Sequence, residues 1–438
     1  MENINTMYFK EMMHYVLFSI IGFLGNSCYI LVDTYFIAKG IGANGLAALN
    51  IALPIYNLIY AISQMMAMGA ATKFALKKHS SSQYEKDKLY SNTLVVTIFI
   101  SLFLLALGIF KSDSVASLLG ADSEILANTS TYMKWLLIFA PAYMLNQILM
   151  FFIRNDGKPK LVTWAMLLAS LSNIVLDYIF IFIFDMGIFG AIIATCIGQI
   201  VSLFVMSWHF ILKNNHFNFI FTKIDKEIIK EDINLGFPSF VTQISAGFVV
   251  IVFNYLILKL EGNIGVAAYG VVANIAIVTV GIMNGIASGI QPLVSSAYGQ
   301  GLKNKFEYLH NQSILLMAII SSAIYAITYI FAEPIAALFN ESGDIALQAI
   351  AVEGLKLYFL ALIFVGYNVI IAVFYTSSHN TKPIHILSLF RGLFLIVPVA
   401  FLMAHLFGMK GIWLSLMVTE LIIAVVSAII YKRLPLFK

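Results

Sequence analysis

Charge is what this chain has least of. Only 11% of its 438 residues are Asp, Glu, Lys or Arg, while 61% are hydrophobic and mean hydropathy is +0.90. Soluble domains carry about 25% charged residues, so the composition fits an integral membrane protein and excludes a soluble one of this size. Cysteine is almost missing: Cys28 and Cys196 both fall in apolar runs, which leaves no basis for a disulfide framework or a metal–thiolate site. Proline is scarce as well, and none precedes Pro54, so the first apolar run has no proline to bend it. Strand-like alternation is absent. The apolar runs are continuous and roughly 20 residues or longer, which excludes an outer-membrane barrel and leaves an α-helical bundle.

Several chemistries lack their residues too. The single Gly-Lys pair, Gly157-Lys158, is no phosphate-binding loop, because Phe152 stands where its first glycine belongs and Pro159 follows the lysine. An ATP-driven pump has neither that loop nor a long soluble stretch to hold it. The eight histidines are scattered and no His-Glu-x-x-His occurs, which argues against a membrane enzyme. No filter-like loop marks a channel. Net charge is +4, spread over short loops rather than massed on one face, so no nucleic-acid partner is expected.

What the chain does have is twelve apolar runs, at about 13–38, 45–76, 91–110, 125–153, 161–184, 188–212, 236–260, 264–298, 311–331, 346–376, 384–407 and 410–431. The first continues to Ala38, longer than the apolar core of a cleavable signal, and so reads as a span. Lys and Arg set the orientation. The even-numbered connections and the two tails, from Lys10 through Lys77, Arg154 and Lys226 to Lys438, hold nineteen; the other side holds six, with Arg391 inside a span. That asymmetry puts both termini in the cytoplasm of a multi-pass protein of the cytoplasmic membrane.

Two features stand out in the fifth run, 161–184. Asn173 and Asp177 are four residues apart, hence on one helix face. A carboxylate near the bilayer centre costs roughly 2.5–3.5 kcal/mol on insertion scales and normally faces a wet cavity or a bundle interior. One other acid lies as deep in this half of the chain, Asp33. Together these residues point to an ion site inside a transporter, although a polar pair fixing helix packing is the plainer alternative for Asn173 and Asp177.

A polar connection near 214–235 divides the chain into an N-terminal half, 1–213, and a C-terminal half, 236–438, each with six spans. Gly45-Leu-Ala-Ala48 recurs as Gly265-Val-Ala-Ala268 and Gly69 as Gly289, both at an offset of 220. Lys158-Pro159 recurs as Lys382-Pro383, and Gly187 with Gly190 recurs as Gly408 with Gly411. Near-constant offsets identify an internal repeat. With six spans each, the repeats share one topology, and transporters on that plan work by rocking one half against the other.

These landmarks resemble the multidrug and toxin extrusion (MATE) family. The matching pieces are Val32-Asp-Thr-Tyr-Phe-Ile-Ala38, Gly45-Leu-Ala-Ala48, Arg154-Asn-Asp-Gly-Lys-Pro159, Ser172-Asn-Ile-Val-Leu-Asp177, Gly187-Ile-Phe-Gly-Ala-Ile-Ile-Ala-Thr195 and Gly289-Ile-Gln-Pro-Leu-Val294. Within the family the chain looks most like the bacterial multidrug branch that includes a staphylococcal efflux protein and the DNA-damage-inducible subgroup. The resemblance implies an all-α membrane fold of twelve helices in two six-helix lobes that alternate between outward- and inward-open states. It also implies a cation site for Na+ or H+ at Asp33, Asn173, Asp177 and Thr195, with oxygen ligands suited to a hard ion. The implied function is cation-coupled export of drug-like, often cationic or amphipathic compounds. No cofactor beyond the coupling ion is implied, and a monomer suffices.

Two departures matter. Relatives that bend the first helix at a proline differ from this chain, and the seventh span, Gly236–Leu260, contains no Asp or Glu. Coupling through the second half is therefore not expected. Thr195 also fits the common habit of bonding the carbonyl one turn back. Asn26, Gln199 and Tyr178 are cavity-lining candidates; the first two serve equally well as interhelical glue. Arg391 and Glu420 read as a structural ion pair, or Arg391 as reaching a cavity wall, and Glu353 as a partner of Lys356. The alternative function is a flippase of lipid-linked saccharides from the same superfamily. Such proteins gather basic residues to grip pyrophosphate, whereas here only Arg391 lies mid-span.

Overall fold

The computed structural model describes residues 4–213, 215–340, 343–378 and 381–433, so Asn214 of the midpoint connection and Lys438 of the tail lie outside it. Its spans are α1 (Ile4–Gly40), α2 (Ala43–Lys77), α3 (Gln83–Leu118), α4 (Leu126–Ile138 then Ala140–Asn155), α5 (Pro159–Ile183) and α6 (Gly187–Ile211). The second half repeats the series with α7 (226–261), α8 (263–299), α9 (Lys303–Ile330), α10 (Ile345–Ser377), α11 (381–407) and α12 (409–433). Twelve spans are thus present among the described residues, at the places where the apolar runs put them.

Local chemistry sets the breaks. Pro141 sits at the start of the second piece of α4, where its ring disturbs the preceding turn, and the two pieces are bent by 48°. Ser82 and Glu85 form a reciprocal capping box that starts α3. Gly262 and Gly408 adopt φ of +62° and +59° and turn the chain between α7 and α8 and between α11 and α12. Their counterparts one repeat earlier, Gly42 and Gly187, have φ of +84° and +56°. That conformation is easy only without a Cβ, so the Gly187–Gly408 repeat of the sequence is a repeated turn, and Gly42 with Gly262 makes a second. A short π-helical stretch follows in the fifth span of each half, Ile179–Ile183 in α5 and Phe390–Leu395 in α11.

The spans form two compact lobes. One comprises Tyr15–Phe240; the other comprises 241 onward together with the first turns of α1, up to His14. The expected bounds of 213 and 236 shift for a physical reason. The connection after α6 is not a free tether: Asn218 and Ile220 donate backbone N–H groups to Asp87 Oδ1 (2.7 Å) and Ser91 Oγ (2.8 Å), and Asp225 N–H donates to Asn92 Oδ1 (2.6 Å). Gln83, Asp87 and Ser91 lie one turn apart on α3 and make a stripe that holds an extended strap by its backbone. Lys88 then pairs with Asp225 at 2.7 Å, and Lys73 with Glu231. The start of α7 crosses α2 so closely that a Cβ on Gly69 would sit 1.8 Å from the Asp232 carbonyl oxygen, and one on Gly236 1.8 Å from that of Met65.

Beside the start of this strap, before α5, Asp156 is sealed from solvent and holds four donors. Lys78 Nζ lies at 3.1 Å, His209 Nε2 at 2.9 Å, and His216 approaches with its Nδ1 at 2.7 Å and its backbone N–H at 2.9 Å. Burial pushes this carboxyl up, but His209, Lys78 and the His216 N–H outweigh it and hold the group below the usual carboxylate range. Arg154, counted above among loop cations, is instead buried, its guanidinium 5.8 Å and 5.7 Å from the Phe23 and Phe151 rings.

Candidate functional site

Within the 15–240 lobe, α1, α5 and α6 bring the four expected ligands together. Gly198 permits the close α5–α6 approach, since even a Cβ there would meet the Ala169 carbonyl oxygen at 3.2 Å. Across that contact Asn173 Nδ2 donates to Thr195 Oγ1 at 3.2 Å, while Thr195 Oγ1 donates to the Ala191 carbonyl at 3.1 Å. Thr195 thus bonds the carbonyl one turn back, as foreseen, and also accepts from Asn173. Its hydroxyl proton goes to the helix and its lone pairs stay inward.

Asp177 is fully buried and Asp33 is 7% exposed. The two carboxyls face each other within interaction range, though short of a formed hydrogen bond. Asp33 Oδ1, both oxygens of Asp177 and Asn173 Oδ1 are all buried without a hydrogen-bond partner. Four unpartnered oxygens around two acids are costly unless something positive joins them, because an isolated buried charge is strongly penalised. The donor set is all oxygen, which suits Na+ or a shared proton. The π-helical stretch of α5 begins two residues after Asp177, and such irregular turns gather at functional sites.

Beside these residues lies a small cavity of about 50 Å³, room for a few waters. Asn26, Asn173, Thr195 and Gln199 line it; Asp33 and Asp177 do not. Its remaining walls include Tyr29, Tyr56, Tyr60 and Tyr143, with Asn146 and Gln147, and no Lys or Arg. Gln199 is fixed there by Asn146, whose Nδ2 donates to Gln199 Oε1 at 2.5 Å while Ser202 Oγ donates to Asn146 Oδ1 at 2.8 Å. Tyr178 is placed otherwise. It is half exposed and packs beside Phe36 and Phe182, outside the cavity, because one residue beyond Asp177 turns about 100° to another helix face. The tyrosines were not foreseen, and no spacing in the sequence separates them from ordinary core aromatics. The amide pair Asn146-Gln147, polar and mid-span, was the signal available.

The other lobe has its own polar cluster. Arg391 Nε meets Glu420 Oε1 at 2.6 Å, as the ion-pair reading required. Asn368 Nδ2 donates to Glu420 Oε2 at 2.7 Å and to its carbonyl at 2.9 Å. Glu353, in contrast, pairs with Lys410 at 3.4 Å rather than with Lys356, which lies over the Tyr329 ring. An interhelical partner displaced the neighbour on its own helix.

Known proteins resemble the chain along most of its length. The sequence profile of the MatE family matches residues 19–179 and 238–402, one match in each half. The multidrug export protein MepA of Staphylococcus saprophyticus is 28% identical over 425 residues, covering 96% of this chain and 93% of that protein. MepA of Staphylococcus aureus is equally similar over 426 residues. Among solved structures, the outward-facing form of a multidrug resistance MATE transporter of the MOP superfamily superposes with a TM-score of 0.90 at 23% identity, covering 98% and 95% of the two chains. A MOP superfamily transporter from Pyrococcus furiosus, described by a reverse polarity of its binding pocket and a different function, gives 0.89 at 23% identity with the same coverage.

Proposed function

The chain belongs to the MATE family of multi-pass membrane transporters, and from that premise we propose that it is a cation-coupled exporter of drug-like compounds. The supporting observation is the group of unpartnered oxygens on Asp33, Asn173 and Asp177, with Thr195 beside them. The proposed cycle is exchange. Na+ or H+ arriving from outside neutralises the two acids, shifts the balance between outward- and inward-open states and releases cargo outward. A membrane potential adds about 2.3 kcal/mol per charge per 100 mV to that drive. Both termini lie in the cytoplasm in this reading, and one chain works alone.

The relatives named as multidrug export proteins support a small, chemically varied cargo. A cavity walled by tyrosines and amides, with no Lys or Arg in its lining, suits cationic or neutral amphipaths and gives a pyrophosphate no grip. The flippase is not favoured for that reason. The deciding measurement is dye efflux by purified protein in liposomes, with Na+ and pH gradients imposed separately. One gradient should drive efflux. Insensitivity to both would end the coupling proposal, and movement of lipid-linked saccharide instead would install the flippase.

A further inference from the structure

The first lobe carries a second charge that nothing in the chain answers. Arg154, at the end of α4, is 1% exposed, and its Nε and both terminal nitrogens are buried without a hydrogen-bond partner. The two rings beside its guanidinium, Phe23 and Phe151, belong to an apolar cluster that also holds Met150 and Met166. Asp156, two residues on, is committed to Lys78, His209 and His216. A buried guanidinium with no acceptor is costly, and unlike lysine it keeps its proton. An arginine that merely oriented the protein would snorkel to the membrane surface, and this one does not.

Its place is the end of the small cavity opposite the acids. Tyr143, Gln147 and Met150 line that cavity from α4, and Arg154 is the next residue on the same helix face. On α5, which runs back from Arg154's end, Met166, Ser170 and Asn173 line the cavity and Asp177 continues their face. The rise from Met166 to Asp177 is roughly 16 Å, so the acids and the guanidinium stand at opposite ends of one polar column. Phe23, Met150 and Met166 form its floor, and Tyr60 in the lining is within electrostatic reach of the guanidinium. We propose that Arg154 is the electrostatic stop of the first lobe, a permanent positive charge behind the closed end of the cavity that denies Na+ and H+ a path through the lobe to the cytoplasm. A cation leaving Asp33 or Asp177 along the column meets this charge across a low-dielectric floor, where repulsion is strong. The ion then crosses only when the lobe changes state. Arginine suits the task because its charge persists without a partner, whereas burial favours the neutral form of a lysine.

A stop of this kind rests on the coupling proposed above and on a cytoplasmic position for that end of the lobe. The test is ion leak without cargo. Purified full-length protein in liposomes is given an inside-negative potassium-diffusion potential, and entry of Na+ and of H+ is followed separately. Wild type should stay near the protein-free rate. Arg154→Met and Arg154→Gln should each pass the coupling ion several-fold faster. Arg154→Lys should be as tight as wild type in mildly acid buffer and approach the Arg154→Met rate in alkaline buffer, as the buried amine loses its proton. A purely structural arginine would give no such pH profile. Neutral variants as tight as wild type overturn the proposal, and so does an Arg154→Lys variant that leaks like Arg154→Met at every pH. Failure of both neutral variants to fold overturns it too, since a charge that folding requires is structural. Failure of the coupling proposal reads out separately, in gradient-driven efflux by the unmodified protein.

Discussion

At one position of the repeat the first lobe presents Gln199 to Asn146 and the second presents Glu420 to Asn368. Their fifth helices differ in the complementary way: α5 brings the unpartnered Asp177, whereas α11 brings Arg391 and satisfies Glu420. One lobe is left with charge it cannot neutralise internally; the other is complete without help. The same helices, turns and glycines support both, so what separates an ion site from a structural pair is where the counter-charge comes from.

That comparison is most severely tested by efflux. Asp177→Asn or Asp33→Asn should reduce gradient-driven efflux to background in liposomes, while Glu353→Gln at the exposed pair with Lys410 should leave it unchanged. Wild-type efflux in either acid variant would erase the distinction between the lobes. Next in size is stability, where the two lobes should respond with opposite sign. Arg391→Ala strands a buried carboxylate and should cost about 3 kcal/mol, the low end for breaking a buried pair because the arginine is partly exposed. Asp177→Asn removes an unpartnered charge and should raise Tm in Na+-free alkaline buffer. Equal destabilisation by both would break the comparison.

A third difference is mechanical, since among the described residues the strap on α3 belongs to the first lobe alone. Gly69→Ala forces a Cβ onto the Asp232 carbonyl, where no side chain can yield, and should cost about 2 kcal/mol by chemical denaturation. Asp156→Asn should cost less, about 1 kcal/mol at neutral pH, by weakening the hold on Lys78, His209 and His216. The sign with pH follows from a carboxyl held below its ordinary value. Its contribution is present above about pH 4, the value in the unfolded chain, and is lost as pH falls through the lower folded value. The protection factors of amides 216–225, taken against the intrinsic exchange rate at each pH, should therefore fall in acid for the native chain and be less pH-sensitive in Asp156→Asn.

Much of the plan was legible because lipid leaves a chain few options. Twelve apolar runs became twelve spans, since backbone polar groups in hydrocarbon must be satisfied within the helix. Of the repeated glycines that were visible, Gly187 and Gly408 proved to be positive-φ turns. Asp33, Asn173, Asp177 and Thr195 converge as the motif order implied. What escaped was whatever depends on packing across long separations. Nothing local distinguishes Tyr29, Tyr56, Tyr60 and Tyr143 from core aromatics, and Tyr178 lies outside this small cavity because the residue after Asp177 turns to another helix face. Charge counts treated Arg154 and Lys73 as loop cations, although both are buried. The strap was read as a spacer because its polar residues look the same whether they bind water or α3.

The strap bears on where the gene can be divided. A sequence repeat invites cutting the chain at its midpoint and expressing the halves as separate polypeptides. Cut after Lys213, the first half would leave Asp87, Ser91 and Asn92 without the backbone amides they receive from 218–225, and would expose the α2 groove that Gly236 enters. Cut after Phe240, it would keep the strap, the start of α7 and the whole of its polar stripe satisfied. The two units that duplication copied are therefore not the two units that would survive separation.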